Sequence, residues 1–251
     1  MLWYKSWLET RWRFLIGMGL LLCSASITVL AYPQVARLLP MVPTNLDGPL
    51  GERIREAVDL SRDFRGYIWS HWFRQNLAQW GMLFAILLGT AALLVQNGGE
   101  IFTLSLPVSR SRLLGVRAAT GLAELLAIAF IPSLLIPMLS PAIRESYGLG
   151  TAVVHSVCLF IATSVFFSLA LFLSTMFSDA WRPLLITLAV ALALGVIDQV
   201  VRNPSFSVYG VMSAQTYFRS GHVPWSGLLG AAAASTLLCG AAMVNIQRRD
   251  F

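Results

Sequence analysis

Residues 97–116 of this chain read NGGEIFTLSLPVSRSRLLGV. They form a polar segment between two long apolar segments, residues 77–96 and 118–139. A helix of about 20 apolar residues is long enough to cross a hydrocarbon core of about 30 Å. Residues 97–116 are therefore predicted to connect two membrane spans.

The order of residues in this segment predicts where the two spans end and begin. Gly98 and Gly99 are predicted to end the first helix, because glycine readily takes the left-handed conformation found at helix C-termini. A short amphipathic run begins at Glu100, and Pro107 stops it because proline lacks an N–H and restricts the preceding residue. Ser109 is placed to cap the next helix by accepting a hydrogen bond from a first-turn N–H group.

Composition places the whole chain among membrane proteins. It has 251 residues, of which 57% are hydrophobic and 12% are charged. Soluble domains carry about 25% charged residues. The net charge of +6 comes from seventeen arginines and one lysine, and these flank apolar segments, which favours membrane anchoring over nucleic-acid binding. The three cysteines all lie within apolar runs, so neither a disulfide nor a zinc site is expected.

Six apolar segments are long enough to span a membrane. They cover residues 14–32, 77–96, 118–139, 151–177, 183–201 and 225–246. No internal repeat is visible at periods of about 20–50 residues. Residues 1–251 are therefore predicted to form one all-α domain that crosses the cell membrane six times.

The distribution of basic residues predicts that both termini face the cytoplasm. The long connection 33–76 mixes six arginines with five acids, so it is set aside. The remaining basic residues then number nine inside and three outside, in agreement with the positive-inside rule. The inner group is Lys5, Arg11, Arg13, Arg110, Arg112, Arg117, Arg182, Arg248 and Arg249, and the outer group is Arg144, Arg202 and Arg219.

Aromatic residues mark two further segments as interfacial. Residues 1–13 interleave tryptophans with basic residues, which predicts a short interfacial helix ahead of the first span. Four prolines indicate that the 33–76 connection opens as an irregular outer loop, and a helical pattern follows from about Leu50. The aromatic residues predicted to mark the membrane interface after this helix are Tyr67, Trp69, Trp72, Phe73 and Trp80.

The sequence carries no catalytic or cofactor-binding motif. Lys5 is the only lysine and lies outside any G-x-x-x-x-G-K-[ST] sequence, so the chain is not expected to hydrolyse ATP. The histidines, His71, His155 and His222, are too scattered to suggest a metal site. We therefore predict no catalytic residue, metal ligand or cofactor in this chain. Any ATP-driven activity must draw on another polypeptide.

Glu124 is the clearest candidate functional residue within a span. It lies about two turns into the third span, where a charged side chain is costly and commonly functional. The nearby Gly121, Ala123 and Ala127 permit close helix contact, which predicts that Glu124 faces a helix or a cavity rather than lipid. A pathway carboxylate and a structural polar contact between helices are both compatible with this position.

Other polar residues near span ends have simpler interpretations. His155 and Asp198 lie near the outer ends of their spans, so exposure to interfacial water is expected. Asp179 and Arg182 flank a very short inner turn with i,i+3 spacing, which predicts a local ion pair.

Three parts of the chain resemble one family. The sequence LSLPVSR at residues 104–110 resembles the loop between the second and third spans of ABC-2 type permeases, the membrane subunits of ATP-driven exporters. The terminal sequence NIQRRDF is similar to a common ending of that family, and the aromatic N-terminus is similar to its elbow helix. The resemblance implies that the loop docks an ATPase. Its residues here would be Gly98, Gly99, Glu100, Pro107, Ser109, Arg110 and Arg112.

The resemblance also implies partners for this chain. These are an ABC ATPase subunit, which would bind the ATP and Mg²⁺, and a second permease subunit, identical or different, within the lipid bilayer. The exported load could be a peptide or drug-like antibiotic, a lipid-linked molecule or an ion. An alternative function is that of a non-transporting membrane scaffold or immunity-type protein that binds a partner. An integral-membrane enzyme is the weakest option, because no catalytic cluster is visible.

Overall fold

A computed structural model describes residues 2–42, 48–90, 109–177, 179–201 and 207–248. These residues are almost entirely helical, and none of them forms a strand. The helices are α1 (Leu2–Leu38), α2 (Pro49–Arg62), α3 (Phe64–Ile68), α4 (Ala78–Gly89), α5 (Arg110–Leu139), α6 (Leu149–Met176), α7 (Trp181–Val201), α8 (Val208–Met212), α9 (Gln215–Ser220) and α10 (Trp225–Arg248). A π-helical segment, Trp69–Leu77, joins α3 to α4, and 3₁₀ turns occupy Leu39–Met41 and Ser140–Ile143.

Five of these helices are long and apolar enough to cross a membrane, namely α1, α5, α6, α7 and α10. The chain is therefore a membrane-embedded, multi-pass, all-helical protein. The predicted second span, residues 77–96, is described only as far as Thr90, and its helix there is α4. Six crossings and a cytoplasmic location of both termini remain predictions.

The N-terminal interfacial helix predicted from the sequence does not form a separate element. Leu2–Leu38 is one continuous helix, and the aromatic segment makes up its first turns. No glycine or proline precedes Gly17 to interrupt the helical hydrogen bonds. Pro33 lies inside the helix near its C-terminal end, so the irregular outer loop begins later than its prolines indicated. The predicted helix from about Leu50 is confirmed as α2.

The two ends of the described chain lie at the same end of the helix bundle. Gln247 Nε2, in the last turn of α10, donates to Ser111 Oγ at the start of α5 over 2.8 Å. Arg13 Nη1, near the start of α1, donates to the carbonyl oxygen of Leu87 in the last turn of α4 over 2.8 Å. We call this the loop end, because α4 and α5 flank residues 91–108 there. We call the opposite end of the bundle the cap end. It contains the short helices α2, α3, α8 and α9.

Glycines set the close packing of α4, α5 and α6. A Cβ atom on Gly121 of α5 would lie 2.5 Å from the Phe167 ring of α6. A Cβ atom on Gly89 of α4 would lie 2.5 Å from the backbone oxygen of the same Phe167. Both helices therefore approach α6 as closely as a backbone allows, as small residues permit in membrane helices.

Hydroxyl groups join α6 to the last helix, α10. Ser168 and Ser235 share a hydrogen bond of 2.7 Å, and Cys239 Sγ donates to Ser168 Oγ over 3.2 Å. Nearer the loop end, Asn245 Nδ2 donates to Thr175 Oγ1 over 2.9 Å. Such polar contacts favour association of helices in a membrane, because the hydrophobic effect between helices is weak in lipid.

Most of the aromatic residues predicted at the membrane interface are instead buried in the cap end. Trp69, Trp72 and Phe73 are at most 1% exposed. Trp69 Nε1 donates to the carbonyl oxygen of Ser213 over 2.9 Å, and its ring stacks on Phe218 with centroids 4.2 Å apart. Phe73 packs against Tyr147 and His155. The rings of Trp69, Trp72 and Phe73 therefore face protein rather than lipid headgroups.

The cap also buries Tyr147, in the turn between α5 and α6. Its ring lies 6.2 Å from that of Phe73, between centroids. Burial raises the pKa of the Tyr147 hydroxyl, and the positive charge of Arg65 opposes this effect only in part. Aromatic side chains thus form the cap end of the hydrophobic core, which is continuous through the bundle.

The glycine packing makes a direct prediction about stability. Gly89→Ala should destabilise the fold by about 1–3 kcal/mol, because the new methyl group meets backbone that cannot move independently. Gly230 of α10 has no atom within 4 Å of an added Cβ, so Gly230→Ala is the matched control. It should be neutral or stabilising, because alanine favours the helix by about 1 kcal/mol over glycine. Unfolding in detergent measures both variants, and equal effects would contradict the packing.

Candidate functional site

Polar side chains line the contact between α1 and α5 at the loop end. On α1, Ser6, Thr10 and Arg13 follow one another at helical spacing and share a face. On α5, Arg117 and Glu124 are seven residues apart and therefore also share a face. With Glu9, these residues form what we call the α1–α5 polar cluster.

Glu124 is the most deeply buried carboxylate of this cluster. Its side chain is enclosed by helices, and the residue is only 4% exposed. Thr10 Oγ1 of α1 donates to Glu124 Oε1 over 2.5 Å. Glu124 Oε2 is buried as well and has no hydrogen-bond partner among the described residues. The structure thus places Glu124 against a neighbouring helix, as its small neighbours indicated.

Arg117 is one of the two arginines of the cluster. Its Nη1 lies 3.4 Å from Glu9 Oε2 of α1, and its side chain is only 11% exposed. Arg117 Nε is buried without a hydrogen-bond partner in the described residues, and so is Ser6 Oγ. The cluster therefore holds an ion pair between α1 and α5. It also contains buried hydrogen-bond donors and an acceptor that have no partner among the described residues.

Arg13 extends the cluster to the helix that precedes the loop. Its bond to the Leu87 carbonyl oxygen satisfies one of the acceptors that α4 leaves open at its C-terminus. A cation at a helix C-terminus also interacts favourably with the helix dipole. The cluster thereby joins α1 to both α4 and α5, the helices that flank residues 91–108.

The chemistry available to this arrangement is hydrogen bonding and ion pairing. Arg117 Nε and Ser6 Oγ can donate, and Glu124 Oε2 can accept. Within the described part of the chain, no three histidine, cysteine, aspartate or glutamate side chains lie close enough to hold a metal ion. The cluster can hold helices in one relative position, or bind a small polar group when they separate.

The residues predicted for the coupling loop are only partly described. Gly98, Gly99, Glu100 and Pro107 lie outside the described residues. Ser109 occupies the N-cap position of α5, but its side chain makes no capping hydrogen bond, which corrects the predicted role of its hydroxyl.

Backbone contacts instead begin α5. The Ser109 carbonyl oxygen accepts hydrogen bonds from the backbone N–H groups of Arg112 and Leu113, over 3.0 and 3.2 Å. Arg110 is the first residue of α5, and Arg112 is exposed two residues later.

Sequence reasoning did not identify the partners of Glu124. Thr10, the partner of Glu124, and Glu9, the partner of Arg117, lie more than a hundred residues away in a segment that reads as interfacial. The positive-inside rule accounts for Arg13 and Arg117 without any partner inside the helix bundle. The spacing of Arg117 and Glu124 on one helix face was the local signal that could have linked them.

Two predictions for other polar residues have opposite outcomes. The Asp179–Arg182 pair is confirmed, with Arg182 Nε 3.2 Å from Asp179 Oδ2. The exposure expected for His155 is wrong, because the residue is 0% exposed. Its Nδ1 lies 2.8 Å from the carbonyl oxygen of Thr151, and Phe73 and Tyr217 cover its ring.

Comparison of the chain with protein-family models, curated proteins and solved structures finds no match.

The Thr10–Glu124 contact can be tested with a double-mutant cycle. Thr10→Val should destabilise the fold by about 1–3 kcal/mol, because it leaves both carboxylate oxygens of Glu124 buried without a donor. Adding Glu124→Leu should recover most of this loss, because replacing both partners by apolar groups is nearly neutral. Denaturation in detergent measures the four proteins of the cycle.

Thr236→Val is the matched control for this cycle. Thr236 lies exposed on α10, and its hydroxyl bonds only to its own helix. Its replacement should change stability by less than about 0.5 kcal/mol. Additive effects of Thr10→Val and Glu124→Leu would contradict the contact.

Proposed function

We propose that this chain is the membrane-spanning permease subunit of an ATP-binding cassette exporter in the cell membrane. The resemblance of residues 104–110 and of the C-terminal sequence to ABC-2 type permeases supports this function. The all-helical, multi-pass architecture is compatible with it. In this proposal the chain forms the translocation pathway together with a second permease subunit.

The observation that carries the proposal is the linkage of the helices around the proposed coupling loop. Residues 91–108 connect α4 to α5, and both helices are bonded to α1. Arg13 bonds to α4 through Leu87, and Thr10 bonds to α5 through Glu124. A force applied to the loop would therefore move three helices together, which is what transmission from an ATPase to a pathway requires.

The energy for transport would come from the partner. The chain lacks the P-loop sequence that cradles nucleotide phosphates, so ATP and Mg²⁺ would bind to the ATPase subunit. Closure of that ATPase would shift the loop residues, including Pro107, Arg110 and Arg112, as a rigid body.

Glu124 is the candidate pathway residue in this function. Charged groups inside spans commonly mark substrate pathways, and Glu124 Oε2 has no hydrogen-bond partner in the part of the chain that the structure describes. Separation of α1 from α5 would expose this carboxylate to a load. A purely structural contact between helices is the alternative role of Glu124. Both roles include the hydrogen bond from Thr10 to Glu124.

Co-purification tests the proposed ATPase partner. The tagged chain is purified from its native membranes in mild detergent, and co-purifying chains are sequenced for a P-loop and assayed for ATP hydrolysis. The wild type should retain a P-loop ATPase. The Pro107→Ala/Arg110→Glu/Arg112→Glu variant should lose it, because the charge reversals alter the loop without removing a bond of the polar cluster.

A charge-reversed variant at the cap end provides the control. Arg37 and Arg144 are exposed there, and Arg37→Glu/Arg144→Glu should retain the ATPase. All variants must show the wild-type unfolding midpoint. Absence of any P-loop ATPase from the folded wild type would reject the exporter, and a non-transporting scaffold that binds another partner would then explain the chain better.

A further inference from the structure

The loop end exposes basic side chains whose nearby acids are already engaged. The described acids at this end are Glu9, Glu124 and Asp179, and they contact Arg117, Thr10 and Arg182 respectively. Three further arginines at this end are exposed and form no ion pair with a described residue. They are Arg11, Arg112 and Arg248. The loop end therefore presents a net positive surface.

Tertiary contacts bring two of these arginines together. The hydrogen bond from Gln247 to Ser111 joins the end of α10 to the start of α5. Arg248 and Arg112 are the neighbours of these two residues in sequence, so both arginines extend from adjoining helix ends. Arg11 extends from the first turns of α1, which packs along α5.

Exposed aromatic rings accompany the arginines. Trp3, Tyr4 and Trp12 of α1 are 58%, 68% and 64% exposed, and Trp181 at the start of α7 is 72% exposed. The Arg11 guanidinium lies 5.6 Å from the Trp12 ring centroid. Tryptophan and tyrosine favour the headgroup region of a bilayer, because an apolar ring and a polar N–H or O–H are both satisfied there.

The cap end has a different surface. There the amphipathic helix α2 mixes arginines with acids, and Arg62 pairs with Asp59 at 3.4 Å. Arg219 of α9 similarly lies 3.4 Å from Glu56 of α2. The positive charge of the cap end is thus partly neutralised within the protein. The two ends should differ in their attraction for anionic groups.

We propose that the loop end binds the headgroups of anionic phospholipids, with Arg11, Arg112 and Arg248 as phosphate contacts and the exposed aromatic rings at headgroup depth. A basic residue close to an anionic leaflet is attracted to it over roughly a Debye length. The exposed rings favour a lipid partner over an acidic protein surface, because they lie on two separate helices, α1 and α7, rather than in one patch. This proposal does not depend on the exporter function.

The test uses the full chain in nanodiscs of phosphatidylcholine with increasing phosphatidylglycerol. Thermal unfolding followed by tryptophan fluorescence reports stabilisation, and native mass spectrometry reports retained phosphatidylglycerol. The wild type should unfold at a higher temperature as phosphatidylglycerol increases, and high salt should reduce this shift. Arg11→Gln/Arg248→Gln should weaken phosphatidylglycerol retention by about five- to twenty-fivefold, from about fivefold per arginine. Arg112 is left unchanged because it belongs to the proposed coupling loop.

Arg37→Gln/Arg144→Gln at the cap end is the matched control, and it should keep the wild-type response. The proposal is wrong if Arg11→Gln/Arg248→Gln responds to phosphatidylglycerol as the wild type does. It is also wrong if both double variants lose the response equally, since bulk electrostatics would then explain it. Loss of ATPase co-purification with an unchanged lipid response would assign the surface to a protein partner instead.

Discussion

The bond between Thr10 and Glu124 is the contact on which the loop end of the bundle depends. A carboxyl group enclosed by apolar helices requires a hydrogen-bond partner, because a buried polar group without one is strongly unfavourable. Thr10 supplies a donor from α1, and Glu9 at the preceding position pairs with Arg117. Because Glu124 and Arg117 of α5 both find their partners on α1, these contacts fix the position of α1 against α5. The same region of α1 carries Arg13, which completes the linkage to α4.

Close backbone contact reinforces this arrangement in the middle of the bundle. Gly89 and Gly121 both face Phe167, so α4 and α5 approach α6 with no room for a side chain between them. The Ser168–Ser235 bond then joins α6 to α10. Polar contacts thus join α1 to α5 and α6 to α10, and close apolar packing joins α4 and α5 to α6. This division follows from the membrane, where dispersion contacts and hydrogen bonds replace the hydrophobic effect between helices.

The two ends of the bundle have opposite physical character. At the cap end, Trp69 is buried beneath α8 and α9, and Phe73 is buried against Tyr147 and His155. At the loop end, the rings of Trp12 and Trp181 are exposed beside basic groups. Trp225, at the start of α10, is 68% exposed at the cap end, so exposed rings occur at both ends. The loop end differs in that exposed arginines without a described ion-pair partner accompany its rings.

The sequence by itself determined the membrane class and the positions of most helices, because apolar length is a local property of the chain. It also indicated that Glu124 faces a helix, because Gly121 is a near neighbour. Packing between distant segments makes Thr10 the partner of Glu124 and buries His155. The continuity of α1 through the aromatic N-terminus, by contrast, agrees with the absence of glycine and proline before Gly17. Local pattern specifies a helix face, but its partner depends on packing between residues far apart in the chain.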